Sequence, residues 1–423
     1  MRAVLHRDCV VALVTRIDNK GRPEGRILEI VQRPSHPIIG RLLQESGVWL
    51  VAPEDRRYGQ DILIPKSATG KAQVGQVVVV DLTEPPSLYG QPVGRVQEVL
   101  GEMDDPGMEI EIAVRKYAVP HRFSDACIKQ SESLPDLVSL EDTQQRVDLR
   151  DIAFVTIDGE DAKDFDDALS FLKLANGNYE IGIHIADVAH FVEEDTQLDK
   201  EAFQRATSVY LPDRVNPMLP ENISNVLCSL RPHEDKYTFS VVVEMTERGV
   251  VKSSWMGKTI IHSDHRFTYE EVQAILEEKE GLHGAVLLQL NQLAQLLRKK
   301  RIENGAINFT SQEVRFKLNE KGDPIGVMIK ESKEAHQLIE EFMLLANRLV
   351  AEFVASTHVN DKAIPFPYRI HDDPDDDRLI PFMDFARKFG HSFDRTSPAT
   401  IAASFNQLLK DADMQSMWHS VEL

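Results

Sequence analysis

The chain has 423 residues, with 48 Lys and Arg against 68 Asp and Glu, and a formal net charge of −20. That length holds two to three domains at roughly 100–200 residues each. So negative a balance argues against holding nucleic acid through a general positive field, though not against a local basic groove or a metal-dependent site. No run of about 18 apolar residues offers a membrane span. Cys9, Cys127 and Cys228 are too scattered for a disulfide framework or a zinc site, so a cytoplasmic chain with no membrane partner is expected.

The N-terminus, MRAVLHRDCVVALVTRIDNKG, starts basic and turns apolar. Its apolar run alternates and carries Arg7, Asp8 and Arg16, which predicts a strand and not a signal peptide. Up to about residue 115 the pattern is one of short strands: CVVALVTRI, GRILEIV, VWLVAP, DILIP, QVVVVDL and PVGRVQEVL. Turn residues such as Gly21, Pro23, Gly40, Pro53, Gly70 and Gly75 separate them, which predicts an all-β barrel or sandwich. The first 57 residues hold ten Lys/Arg against seven Asp/Glu, so the acidic excess lies further on. Trp49, Arg56, Arg57 and Tyr58 join positive charge to aromatic rings on this barrel. That combination suits single-stranded RNA on an OB-like fold, although Trp49 fits the barrel core equally well. Residues 116–147 are polar, with two prolines and helical patches, and read as a connector.

From about residue 148 the pattern changes. IAFVTI and YEIGIHIADVAHFV read as strands, and SVVVEMTERGVVKSSWMGKTII as a hairpin turning near Arg248 and Gly249. Thr268 and Glu271 form a capping box ahead of Val272, Ile275 and Leu276. A long helix over VLLQLNQLAQLLRKKRIENG stops at Gly305. Another, EAHQLIEEFMLLANRLVAEFVAS, sets Leu338, Phe342, Leu345 and Leu349 on one face. The acidic run HDDPDDDR precedes LIPFMDFARKFG, where negative charge favours a helix start. His184, Asp187 and His190 lie three apart, but on a strand that spacing alternates faces. They read as satisfied polar groups and not as a ligand set. The chain ends MWHSVEL inside an apolar helical pattern, as a fragment would.

The stretch TIDGEDAKDFDDAL, from Thr156 to Leu169, holds five aspartates and one glutamate. Asp158, Asp164, Asp166 and Asp167 follow one strand and precede another, ALSFLKL, while GEDAK can turn and takes Glu160 and Asp161 with it. Short carboxylates brought together raise one another's pKa, and a divalent cation removes that penalty. Mg²⁺ asks for hard oxygen ligands and keeps waters for its substrate, and two such ions clamp both oxygens of a phosphodiester displacement. A calcium loop of the EF-hand type fails, because it needs Gly at position 6 and Glu at position 12. Counted from Asp158 those positions are Lys163 and Leu169. A solvated acidic loop stays compatible with the composition.

TIDGEDAKDFDDAL closely resembles the signature of the ribonuclease II family of exoribonucleases. SVYLPDRVNPMLPENISNVLCSLRP, over 208–232, looks like that family's second characteristic block. GAINFTSQEVRFKLNEKGDPIGV, LIEEFMLLANRLVAEFV and PFPYRIHDDPD then follow in the family's order. GRLLQESGVWLVAPEDRRYGQDILIP is similar to a cold-shock domain found in one branch of the family. The resemblance implies an α+β chain, with an OB-like cold-shock β-barrel region followed by a mixed α/β catalytic domain of RNB type, incomplete at its C-terminus. The expected divisions are 1–33 as the tail of a first cold-shock domain, 34–115 as a cold-shock domain, 116–147 as the connector and 148–423 as the catalytic domain.

The resemblance further implies processive 3′-to-5′ hydrolysis of single-stranded RNA to nucleoside 5′-monophosphates by a monomer. Magnesium would serve in a two-metal arrangement, with manganese as a substitute. Asp158 and Asp167 match magnesium ligands, Asp164 another carboxylate near the metals, and Asp166 the aspartate that serves the second metal and organises the attacking water. Tyr210 matches a tyrosine that packs on the 3′-terminal nucleotide, Phe309 a second stacking residue, and Glu340, more than Glu341, a contact to that nucleotide. Arg214 and Arg231 fit phosphate contacts and structural ion pairs equally. Family members of this branch continue into an arginine-bearing block and an S1 domain, neither present before Leu423. The expectation is therefore a full ligand set with incomplete walls, and reduced activity or none; the alternative is a non-catalytic RNA-binding fragment whose acidic loop is inert.

Overall fold

The computed structural model describes residues 3–414, other than 20, 34, 35, 88, 309–312, 321 and 373. Phe309 therefore lies outside the described residues. The chain divides into two compact units that interleave along the sequence: 1–123 with 204–218 and 315–328, and 124–203 with 219–314 and 329–423.

The first unit is built on a closed barrel of the strands Ile38–Glu45, Val48–Pro53, Ile62–Leu63, Val77–Glu84 and Val93–Gly101. The run VVVV explains how the barrel is covered. Val78 and Val80 point inward to Ile38, Leu42, Val51, Ile62 and Ile64. Val77 and Val79 point outward to Ile39, Met108 and Ile112, so the helix Met108–Lys116 buries the other face. Alternation along a strand puts neighbours on opposite faces, and here both faces are apolar because both are covered. Gly40 is required within the barrel, since a Cβ there would lie 2.3 Å from the Ala52 carbonyl oxygen. Ahead of the barrel, Cys9–Ile17 and Pro23–Gln32 form an antiparallel hairpin, which accounts for the alternation at the N-terminus.

The second unit carries a seven-stranded mixed sheet. In spatial order its strands are His265–Thr268, Phe154–Asp158, Asp167–Lys173, Tyr179–Ala186, Asp235–Met245, Val251–His262 and Val147–Asp148. Three helices, Tyr269–Glu278, Gly284–Glu303 and Glu334–Ser356, cover one face. Leu338, Phe342, Leu345 and Leu349 meet Ile157, Leu169, Ile181, Ile183, Val241 and Val243 in a single core. The capping box of Thr268 and Glu271 forms as expected, and the hairpin turns at Gly249, whose φ is 66°. Asp375 caps the helix Asp376–Lys388, with Asp376 and Asp377 in its first turn.

One expected strand is shorter than its sequence suggests. YEIGIHIADVAHFV is extended only over Tyr179–Ala186, and Val188–Phe191 turns into a short helix. The break comes at Asp187, whose N–H donates to the Tyr237 carbonyl and whose carboxylate pairs with the buried Arg146 guanidinium at 2.7 Å. His184 therefore stays on the strand while His190 leaves it. The connector region is also more ordered than its polarity implies, with helices at Asp125–Glu132 and Leu140–Gln145.

Candidate active site

The sheet register explains how the four aspartates come together. Phe154–Asp158 and Asp167–Lys173 are antiparallel neighbours, pairing Val155 with Leu169 and Phe154 with Ser170. Asp158 thus ends one strand where Asp167 begins the next, and residues 159–166 arch between them. Asp164 and Asp166 sit on that arch. On the other flank Phe154–Asp158 runs parallel to His265–Thr268, with Thr268 opposite Asp158. The first turn of the helix Tyr269–Glu278 therefore starts beside the cluster.

Burial and mutual repulsion act on these carboxyls together. Burial, with the neighbouring charge of Asp167, pushes the Asp158 carboxyl up to about 7. Asp167 is pushed up to about 6 by burial and by Asp166. Asp166 is raised by burial and by Asp164. Tyr269 feels the same field: burial, then Asp158 and Asp167, lift its phenol to about 12. One carboxylate oxygen each on Asp158 and Asp167, Oδ2 in both, is buried and has no hydrogen-bond partner. Oxygens so placed cost free energy until something positive meets them.

Those orphaned oxygens fit a hard divalent cation. Among the described residues no three His, Cys, Asp or Glu side chains already converge as a closed metal cage. Mg²⁺ is commonly held by one or two carboxylates and otherwise by water and substrate oxygens, a demand that the open oxygens of Asp158 and Asp167 can meet.

The arch itself is held through its backbone. The Ser229 hydroxyl accepts from the Phe165 N–H at 3.0 Å and donates to the Lys163 carbonyl at 2.7 Å. Leu230 N–H donates to the Phe165 carbonyl, and Ala186 N–H to the Asp166 carbonyl. Arg266 donates to the carbonyls of Gly159 and Glu160, and its guanidinium lies 5.5 Å from the Phe165 ring centre. Neither Ser229 nor Arg266 stands out in the sequence. Ser229 lies within SNVLCSLRP, a block noted only for its likeness, and Arg266 stands two residues ahead of Thr268, where the capping box begins.

Beneath the cluster a polar ladder crosses four strands. His184 Nε2 meets Ser170 Oγ at 3.0 Å, and His184 Nδ1 meets Ser240 Oγ at 2.6 Å. Ser240 continues to Thr259, and Thr259 to Thr238. Burial depresses His184 to about 3, so its imidazole is neutral. Gly182 makes room: a Cβ there would fall 2.2 Å from His184 Nε2. His184, Asp187 and His190 are thus satisfied polar groups, as expected, with the His190 ring tilted against that of Tyr237.

The remaining candidates divide between the units. Tyr210, 72% exposed, belongs to the first unit, on the small hairpin of Val209–Tyr210 and Val215–Asn216. Arg214 next to it pairs with Glu111 and Asp213, and Arg231 pairs with Glu234. On the barrel, Arg56, Arg57 and Tyr58 form a short 3₁₀ turn after Asp55. Arg57 is bound to the Asp55 carboxylate at 2.6 Å, while Arg56 is exposed. Trp49 and Tyr58 are half-buried and pack against the barrel core. In the second unit Glu341 is 3% exposed and bound by Arg301 and Arg298. Glu340 is the open one of the two, sharing Arg301 at 3.0 Å.

A closed five-stranded barrel, and a separate sheet with Asp158 and Asp167 at the ends of neighbouring strands and Asp164 and Asp166 on the arch between them, point to a cold-shock barrel and an RNB-type domain. The family models agree, with an RNB domain over 146–420 and a cold shock domain over 50–124. Ribonuclease R of Vibrio parahaemolyticus is 39% identical over 399 residues, covering 92% of this chain and 47% of the relative. Ribonuclease R of Acidithiobacillus ferrooxidans is 42% identical over 321 residues, covering 73% of this chain and 72% of the relative. A solved Mycoplasma genitalium RNase R, bound to ribose methylated single-stranded RNA, matches the fold with a TM-score of 0.86. It is 23% identical, and the match covers 98% of this chain and 65% of that one. The chain belongs to the ribonuclease R family of RNB-domain proteins. It spans about half the length of the first curated relatives it matches.

Proposed function

We propose that the chain works as a magnesium-dependent exoribonuclease that shortens single-stranded RNA from its 3′ end to nucleoside 5′-monophosphates, processively and as a cytoplasmic monomer. The observation that carries this reading is the pair of buried, unpartnered oxygens on Asp158 and Asp167, set beside Asp164 and Asp166 at one end of the sheet. Membership of the ribonuclease R family supports the reaction type, and the RNA in the solved relative's title supports the substrate class.

Asp158 and Asp167 would hold the cation, with manganese able to replace magnesium, and Asp164 would complete its surroundings. When bound, magnesium supplies a Lewis acid that acidifies water and stabilises the leaving 3′ oxygen, and two such ions share those tasks. Asp166 orients the attacking water through its carboxylate. Tyr210 stacks on a terminal base, a contact that tolerates every sequence. Glu340 and Phe309 add contacts to the terminal nucleotides. RNA is told from DNA through the 2′-hydroxyl. The barrel's Arg56 and Arg57, with the rings of Trp49 and Tyr58, guide the strand. A chain of net charge −20 then needs no general positive field, because the cations offset the scissile phosphate.

Incubation of this chain with 5′-labelled and 3′-labelled RNA in magnesium tests the reading. Shrinking of the 5′-labelled strand, release of mononucleotide from the 3′ label, and loss of both in Asp166→Asn are expected. RNA left intact by the parent chain, or degraded equally by Asp166→Asn, would overturn it.

A further inference from the structure

The aspartate arch presents a contradiction. Four carboxylates repel one another along it, and two of their oxygens lack any donor, yet its backbone is tied down by side chains from elsewhere in the fold. No hydrogen bond to Asp158 Oδ2 or Asp167 Oδ2 supplies that order. It comes from the arch's backbone, gripped from two sides by residues distant in sequence.

Ser229 is fully buried and bonds both sides of Asp164, accepting from Phe165 N–H and donating to the Lys163 carbonyl. Arg266 grips the other shoulder, donating to the carbonyls of Gly159 and Glu160 just past Asp158. Its strand fixes where it stands, with Arg266 opposite Thr156 and Thr268 opposite Asp158. Neither side chain is spent on a carboxylate oxygen in these bonds. The arch is therefore ordered without consuming the groups that a cation would need.

We propose that Ser229 and Arg266 are positioning residues that pre-shape the aspartate arch for a divalent cation. This rests on the cation reading of the site given above, and it adds residues that neither the aspartate motif nor its likeness assigns. Partners of this kind, one step removed from the ion, typically change metal affinity by roughly tenfold to a hundredfold when removed.

The two residues make opposite demands on the alternative explanations. Ser229→Ala changes no charge, so an altered cation affinity cannot come from electrostatics. Arg266→Met removes a positive charge that repels a cation. If Arg266 were only a counter-charge, its loss would tighten cation binding, whereas if it positions the arch, its loss weakens binding.

The test uses Mn²⁺ as the probe, titrated into the full 423-residue chain without RNA. Free ion is read by electron paramagnetic resonance, and circular dichroism confirms the fold. Ser229→Ala and Arg266→Met should each weaken Mn²⁺ binding by about tenfold or more. Arg266→Lys, which keeps the charge and can reach only part of the double contact, should fall between parent and Arg266→Met. Should one variant fail to fold, the other carries the result. Parent-like affinity in a folded Ser229→Ala, or tighter binding by Arg266→Met, would overturn the positioning role and leave the cation reading intact. A parent chain that binds no Mn²⁺ would overturn both.

Discussion

The strain in the carboxylate cluster has a consequence that can be measured without any substrate. Folding raises the Asp158 carboxyl from 3.8 to about 7, chiefly through burial and the charge of Asp167. A carboxyl that holds its proton more tightly when folded gives its full stabilisation below about pH 4. It loses that contribution as pH climbs through about 7. Three units at about 1.4 kcal/mol each would be about 4 kcal/mol. Because Asp158 and Asp167 share the same repulsion and the cluster keeps some solvent contact, about 2 kcal/mol is the working figure. Asp158→Asn removes the charge and keeps the shape. In EDTA at pH 8 it should therefore melt roughly 3–4 °C above the parent, and at pH 4 it should show no gain. Saturating Mg²⁺ should erase or reverse the difference, since only the parent binds the ion at full strength. Differential scanning calorimetry at the two pH values reads this directly. An Asp158→Asn chain no more stable than the parent at pH 8, or equally stabilised at both pH values, would refute the account of a strained cluster.

Other residues make separate demands. Tyr210→Ala should weaken single-stranded RNA binding by about 1–3 kcal/mol, seen by fluorescence anisotropy, with little change in melting because the side chain is exposed. His184→Ala should cost about 3 kcal/mol in urea unfolding, through a cavity and two serine hydroxyls left without their partner. Glu341→Ala should cost about 3 kcal/mol, because Arg301 and Arg298 would lose a buried counter-charge, whereas Glu340→Ala should cost well under 1 kcal/mol. Arg56→Ala should lower the salt dependence of RNA binding by about one phosphate contact, and Arg57→Ala by less, because Asp55 already holds Arg57.

The parts of this molecule that were legible in its sequence are those with local causes. The period of Leu338, Phe342, Leu345 and Leu349 marks a helix face whatever lies opposite, and Thr268 with Glu271 marks a helix start within four residues. The aspartates were legible for the same reason, since their crowding is itself local. The Arg57–Asp55 pair could have been read from the two-residue spacing in EDRRY. The residues that hold the arch were not legible. Ser229 reaches Lys163 across 66 positions and Arg266 reaches Gly159 across 107, and only the strand register brings them together. The helical turn after Ala186 is decided the same way, by Arg146 acting on Asp187 from 41 positions away.

The central claim is that the aspartate arch is a divalent-cation site. Crystals of the chain soaked in Mn²⁺ and measured at the manganese absorption edge test it most directly. The account predicts anomalous density between the carboxylates of Asp158 and Asp167, lost in Asp158→Asn. Manganese peaks confined to other surfaces, with none at the arch, would contradict it.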